Sequence, residues 1–156
     1  LRADLGYGES YGDTTQMPFF KNFYSGGLGS VRGYKKYTLG PRNSPQGGFY
    51  SYSRPTGGNV QIVLGAEVIF PLPFVKDQRS LQSSLFFDAG NIFNTKCGNS
   101  EINCFNLKEG ELRYSVGVGA TWLSGFGPIT FSIAKPLNSQ PGDETEVFQF
   151  SLGNQF

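Results

Sequence analysis

The segment Val60-Gln-Ile-Val-Leu-Gly-Ala-Glu-Val-Ile-Phe70 alternates along its whole length: every even-numbered residue is apolar, and the odd-numbered residues include Gln61 and Glu67. Such a period of two predicts a β-strand with one apolar face and one small or polar face. The segment Leu112-Arg-Tyr-Ser-Val-Gly-Val-Gly-Ala-Thr-Trp122 repeats the alternation, with Gly, Ser and Thr between its apolar residues. These two segments place the chain in the all-β class.

Four further segments alternate in the same way and bring the predicted strands to six: Leu1–Gly8, Leu81–Ala89, Ile129–Ile133 and Phe148–Phe156. Their polar face carries Gly, Ser, Thr and Gln with isolated charges, whereas a soluble sandwich exposes many Lys and Glu there. Strands that are apolar outward and small or polar inward are typical of an antiparallel transmembrane β-barrel. Aromatic residues near strand ends fit interfacial girdles: Tyr7, Phe70, Trp122 and Phe156. A soluble sandwich or a lipocalin-like barrel is the alternative.

Composition excludes several classes of function. The 156 residues contain no His, which removes His-based acid–base catalysis and most catalytic zinc sites. A net charge of +1 argues against a nucleic-acid partner, which needs a dense basic face. The glycine-rich stretches lack the G-x-G-x-x-G spacing and a Walker lysine. We therefore predict a protein that is not an enzyme and uses no cofactor and no metal.

The connections between predicted strands alternate between long and short. A loop of about residues 9–59 separates the first two strands, and another long one, residues 91–111, follows the third. The intervening links, residues 71–80 and 123–128, are short. Outer-membrane barrels have short periplasmic turns and longer extracellular loops. The loop 9–59 is therefore predicted to be extracellular, and its length makes it the place to look for function.

Two cysteines, Cys97 and Cys104, lie in the second long loop and bracket six residues of polar sequence. No His or further Cys accompanies them, so the spacing does not indicate a zinc site. We predict a disulfide between them, because an outer-membrane barrel places its loops in an oxidising compartment. Two reduced thiols are the alternative.

Several motifs resemble those of one family. The long loop contains Phe23-Tyr-Ser-Gly-Gly27 and then Val31-Arg-Gly-Tyr34. Three later segments also match in the right order: Phe86–Gly90, Gly127–Pro136 and Gln149–Phe156. Together they resemble the BamA family of outer-membrane barrel-assembly proteins. The resemblance implies that residues 1–156 are the C-terminal part of a sixteen-stranded barrel, comprising its last six strands.

The resemblance also implies a function. Members of this family fold unfolded outer-membrane proteins and insert them into the bacterial outer membrane, without enzymatic chemistry. The implied partners are those unfolded proteins, barrel-assembly lipoproteins and the lipid bilayer. Transporters of two-partner secretion and of the translocation-and-assembly module share the Val-Arg-Gly-aromatic loop, so they are alternatives. A passive porin-like channel is a third.

One set of residues is predicted to hold the long loop inside the barrel. Glu67 and Asp88 fall on the polar parity of adjacent predicted strands, so both side chains point into the lumen. A guanidinium is a planar fork suited to carboxylates, and an inward fold of the loop would deliver Arg32 to them. The resemblance supports the same three residues in this role, with Gly33 allowing a tight turn. We call Arg32, Gly33, Glu67 and Asp88 the loop lock. The alternative is a solvated Arg32 above a wet pore.

The last predicted strand carries a second set: Phe148, Phe150, Gly153 and Phe156. The alternating aromatic residues resemble the terminal signal by which barrel substrates are recognised, and strand addition to an exposed edge is a physical route to such recognition. Gly153 predicts a bend near the end of the strand. The resemblance implies that this strand closes the barrel against the first strand at a lateral seam. Six strands alone would leave two open edges, so self-association of this chain is predicted.

Overall fold

The computed structural model describes residues 1–12, 17–43, 54–72, 80–96, 101–102 and 112–153. The predicted Cys97–Cys104 disulfide and the terminal Phe156 lie outside these residues. No helix of the described segments is long and apolar enough to cross a membrane. A single 3₁₀ turn, Phe19–Lys21, interrupts the described part of the long loop.

Six strands form one antiparallel sheet in the order β1-β3-β4-β6-β7-β8, and two short strands, β2 and β5, pair separately. The bounds are β1 Arg2–Tyr7, β2 Arg42–Asn43, β3 Val60–Phe70, β4 Leu81–Phe93, β5 Glu101–Ile102, β6 Arg113–Ser124, β7 Gly127–Pro136 and β8 Phe148–Leu152. The antiparallel sheet and its six strands confirm the all-β prediction. The β2–β5 pair was not predicted, because two-residue strands leave no period in a sequence.

Strand β4 is four residues longer than the alternation predicts. Its last residues continue the pairing with the start of β3 as far as Val60 opposite Phe93. Asn91, Ile92 and Phe93 are all buried, so both faces of the strand are covered at this end. A strand covered on both faces does not alternate, and its end is therefore invisible to a period of two. Strand β7 is likewise longer than the predicted Ile129–Ile133.

The cross-strand register separates the sheet into two faces. Gln61, Glu67, Asp88 and Gln149 all fall on one side, which confirms the predicted parity. We call this side the inner face. The outer face carries exposed apolar side chains: Leu5, Leu64, Val68, Leu85, Phe87, Val118, Trp122, Ile133, Phe148, Phe150 and Leu152. A row of this extent is typical of a lipid-facing surface.

The long loop packs against the inner face. Val31, Tyr34 and Leu39 from the loop form a fully buried cluster with Val63 of β3. Isolated bridges organise the loop internally, pairing Ser25 with Leu39 and Phe23 with Gly58. The apolar core of the described residues therefore lies between the loop and the sheet, and this packing presents Arg32 to the strands below it.

Candidate functional site

Arg32 forms three hydrogen bonds with Asp88 of β4, two from its guanidinium and one from its backbone N–H. Its Nε donates to Oδ2 at 2.7 Å, its Nη2 donates to Oδ1 at 2.9 Å, and its backbone N–H donates to Oδ2 at 3.2 Å. The Asp88 side chain is fully buried, and that of Arg32 is 12% exposed. A bidentate guanidinium–carboxylate pair is among the strongest polar contacts available to a protein, and its fork geometry fixes orientation as well as distance.

Glu67 of β3 forms the second side of the site. Arg32 Nη1 donates to Glu67 Oε1 at 3.1 Å, and the Ser84 hydroxyl donates to the same oxygen at 2.5 Å. The Glu67 side chain is 42% exposed, so solvent screens its charge more than that of Asp88. The structure thus brings Arg32, Glu67 and Asp88 together, with Asp88 as the main partner of the arginine.

One feature of this site was not foreseen. The Arg32 guanidinium carbon lies 3.4 Å from the centre of the Phe86 ring, an arrangement that adds cation–π attraction where water is displaced. Phe86 itself is buried. The sequence signal was present, since Phe86, Ser84 and Asp88 share one parity of β4, but an aromatic residue on a polar face has many possible roles.

Gly33 lies where the loop meets β7. Its φ is +89°, and a Cβ added there would lie 3.1 Å from the Cβ of Ala134. The position therefore requires glycine for its backbone conformation and disfavours a side chain for lack of space. This arrangement accounts for glycine directly after Arg32, because the chain passes close to β7 there in a backbone conformation that other residues rarely adopt.

The residues after Gly33 pair with the segment that leads into β8. Tyr34 forms an antiparallel bridge with Thr145, flanked by Lys35 N–H donating to Glu144 O and Glu146 N–H donating to Gly33 O, each at 2.9 Å. The Gln149 side chain of β8 also donates from Nε2 to Tyr34 O at 2.7 Å. We call these contacts between 33–35 and 144–149 the clasp. Sequence reasoning missed it, because neither segment is periodic.

Charged groups at the rim of the clasp interact with one another. The hydrogen bond from Lys35 lowers the pKa of the Glu144 carboxyl, and the same bond raises the pKa of the Lys35 ammonium. Both side chains are about half exposed, so we assign this pair a small part of the stability. Burial, with the nearby Asp143 carboxylate, raises the pKa of Tyr34 to about 12. Tyr34 is therefore neutral at physiological pH, and its hydroxyl lies 3.4 Å from Tyr114 O.

The terminal-strand residues lie as follows. Phe148 and Phe150 project from the outer face and are about half exposed, and the Phe150 ring packs 5.2 Å from that of Phe131 on β7. Gly153 has a φ of +87° and directly follows the last residue of β8. Its N–H donates to Pro128 O at 2.8 Å. The loop-lock residues and the terminal-strand residues thus occupy separate regions of the sheet, and the clasp lies between them.

No group of three or more potential metal ligands comes together among the described residues. The polar groups of the site are instead engaged with one another: guanidinium with carboxylates, and backbone with backbone. Chemically, the arrangement holds a loop against a sheet, and β8 forms one edge of the described sheet.

Comparison with known proteins agrees with this architecture. Residues 1–156 match the Omp85 superfamily domain. The chain is 41% identical, over all of its length, to outer membrane protein assembly factor BamA of Neisseria meningitidis serogroup B. It is 30% identical over 90% of its length to the assembly factor BamA of Nitratidesulfovibrio vulgaris. It spans 21% and 16% of these two relatives.

A solved structure is similar as well. The crystal structure of BamA from Haemophilus ducreyi lacking POTRA domains 1–3 superposes with a TM-score of 0.79 at 32% identity, covering 95% of this chain and 29% of that one. The likeness confirms that the six-stranded sheet is part of a barrel, and it decides against the soluble sandwich.

Proposed function

Because this chain belongs to the Omp85 superfamily, we propose that it is the C-terminal part of a barrel that assembles β-barrel proteins and inserts them into the bacterial outer membrane. The proposal rests first on similarity to relatives named outer membrane protein assembly factor BamA, of which the chain spans about a fifth. It places the chain in the outer membrane, within a barrel of sixteen strands, and residues 9–59 on the extracellular side.

The observation that carries the proposal is the buried Arg32–Asp88 pair. This pair supports the proposal over a passive channel because the long loop is packed against the inner face, and a buried ion pair offsets its desolvation cost only where its geometry is good. Here two hydrogen bonds to Asp88, a further one to Glu67 and the Phe86 ring satisfy the guanidinium. In the proposed role, the loop lock keeps the loop inside the barrel while the lateral seam between the first and last strands opens.

The proposed mechanism uses strand pairing and forms no covalent bond. An unfolded outer-membrane protein would add a strand to the backbone edge of β8, where hydrogen bonds supply affinity and the alternate side chains Phe148 and Phe150 face lipid. Gly153 would let the end of the strand bend away from its neighbour. Barrel-assembly lipoproteins and the bilayer are the other proposed partners.

The test is made in the full-length protein that carries this sequence, reconstituted in lipid vesicles and supplied with an unfolded barrel protein. We expect Arg32→Ala to slow insertion on the order of tenfold, because it leaves the buried Asp88 carboxylate without its cation. We expect the insertion rate of Arg32→Lys to lie between those of the unmodified protein and Arg32→Ala, because an ammonium cannot form the two parallel hydrogen bonds of a guanidinium. Lys36→Ala removes an exposed cation four residues further along the loop and serves as the matched control.

Retained heat-modifiable mobility in electrophoresis would show that each variant still forms a barrel. Full insertion activity of Arg32→Ala would contradict the loop lock. Vesicles that conduct ions but insert no substrate with the unmodified protein would contradict the assembly function itself and favour a channel.

A further inference from the structure

The clasp joins two parts of the protein that the proposed function treats separately. Arg32 fastens the loop to β3 and β4, whereas Phe148–Leu152 form the last strand of the sheet. Between them, Gly33 and Lys35 exchange backbone hydrogen bonds with Glu146 and Glu144. Within the four residues 32–35, the loop thus holds the wall of the sheet through the Arg32 side chain and the segment before β8 through the backbone of Gly33 and Lys35.

The segment that leads into β8 relies on this contact, because the ladder with β7 covers β8 and reaches back only to Val147. The ladder pairs Ile129–Ile133 with Leu152–Phe148, and one more bond joins Ala134 N–H to Val147 O. Beyond Ala134 the two segments separate. Gly33 lies there instead, close to Ala134 and Pro136 of β7. The loop backbone therefore pairs with residues 144–146, at the point where the β7–β8 ladder has ended.

The segment between β7 and β8 is also fastened to β6, at Asn138 and at Asp143 directly before the clasp. Arg113 at the start of β6 donates from Nε to Asp143 Oδ2 at 2.5 Å, and both side chains are almost fully buried. Asn138 accepts a hydrogen bond from Tyr114 N–H at 2.7 Å. Since β6 holds this segment as far as Asp143, the residues whose position the clasp can control are those from Glu144 to the start of β8.

Gln149 is the side chain that completes the clasp from within β8. It is buried on the inner face, and its Nε2 donates to Tyr34 O at 2.7 Å. It thereby fixes the strand's inner face to the residue two positions after Arg32. Truncating Gln149 would leave the buried Tyr34 carbonyl without its donor. Losing a donor destabilises a contact more when the acceptor is buried than when it is exposed.

We infer that Gln149 and the clasp couple the loop lock to the terminal strand, so that β8 is held in place while Arg32 is bound and loosens when Arg32 is released. This inference rests on the proposed function for its purpose, but its physical content is a coupling between two contacts. Such a coupling is reciprocal: whatever loosens β8 must also weaken the Arg32 contact by the same factor.

Hydrogen–deuterium exchange of the full-length protein in lipid nanodiscs tests the coupling without any substrate. We expect Arg32→Ala to speed exchange about three- to tenfold at the amides of Glu146 and of β8, as the loss of a buried hydrogen-bonded contact would. We expect Gln149→Leu to speed exchange similarly at the amides of Arg32 and Lys35. Gln82→Leu, on the same face but at the start of β4 and six positions before Asp88, should change neither region.

Each variant is first checked for heat-modifiable mobility. If Arg32→Ala does not fold, Gln149→Leu alone decides, because reciprocity makes either direction sufficient. Faster exchange confined to each variant's own contact would overturn the inference and leave the proposed function standing. Slow insertion by Arg32→Ala with unchanged exchange at β8 would likewise overturn the coupling and leave the proposed function standing. Coupled exchange in a protein that inserts nothing would support the coupling and refute the function.

Discussion

At the scale of single residues, the buried Asp88 carboxylate determines which groups must lie around it. A carboxylate without exposed surface is tolerated only when it is paired and hydrogen-bonded. Much of this could be predicted, because charges are scarce on the strands and the parity of β3 and β4 is readable from their alternation. The stacking of Arg32 on Phe86 could not be predicted, since it depends on how far the loop descends onto the sheet.

Gly33 gives a prediction at this scale. We expect Gly33→Ala to weaken docking of the loop by roughly 1–3 kcal/mol, because alanine is strained at a φ of +89° and its Cβ would lie 3.1 Å from that of Ala134. Exchange at the amides of Arg32 and Lys35 measures the effect. Gly125→Ala is the control, because nothing lies within 4 Å of the added carbon there. Equal behaviour of the two variants would show that Gly33 carries no special constraint.

At the scale of elements, β6 owes its close packing to two glycines on its inner face. The alternation of Leu112–Trp122 predicted the strand within two residues of its observed bounds at either end. It did not show that these glycines differ. A Cβ at Gly117 would lie 2.2 Å from Ile133 O and 2.6 Å from the Phe86 ring, whereas at Gly119 its nearest neighbour is the rotatable Ser84 hydroxyl, at 3.0 Å.

We therefore expect Gly117→Ala to destabilise the barrel by roughly 1–3 kcal/mol, the usual cost of overpacking, and to displace Phe86 from beneath Arg32. Gly119→Ala is the matched control on the same strand and face, and it should cost clearly less. Thermal unfolding of the full-length protein in detergent, followed by heat-modifiable mobility, measures both. Equal midpoints for the two variants would contradict the distinction.

Irregular segments mark the boundary of what the sequence predicts at this scale. The strands were foreseen because burial on one face imposes a period of two. The clasp was not, because residues 33–35 and 144–146 pair for only one bridge and leave no pattern. The extension of β4 was not predicted for a related reason, because both of its faces are covered there.

At the scale of the whole molecule, the described sheet has two open edges. Strand β1 pairs only with β3, and β8 pairs only with β7. Each edge presents unpaired backbone groups beside exposed apolar side chains, which recruit other chains. We expect the isolated 156-residue chain to associate through these edges into species of two or more copies in mild detergent. Light scattering coupled to size-exclusion chromatography measures this, and a monomer with a closed six-stranded barrel would contradict it.

The long connection between β1 and β3 also has a consequence in time. Strands β6 and β7 meet across the two-residue turn Gly125–Phe126, whereas Arg32 and Asp88 are 56 positions apart and Tyr34 and Gln149 are 115 apart. Closing a longer stretch of chain costs more entropy and delays the contact. We therefore expect the β6–β7 hairpin to form early during folding and docking of the loop to come late. Until then the carboxylate of Asp88 would remain hydrated, and its pairing with Arg32 would mark the moment at which this region completes its folding.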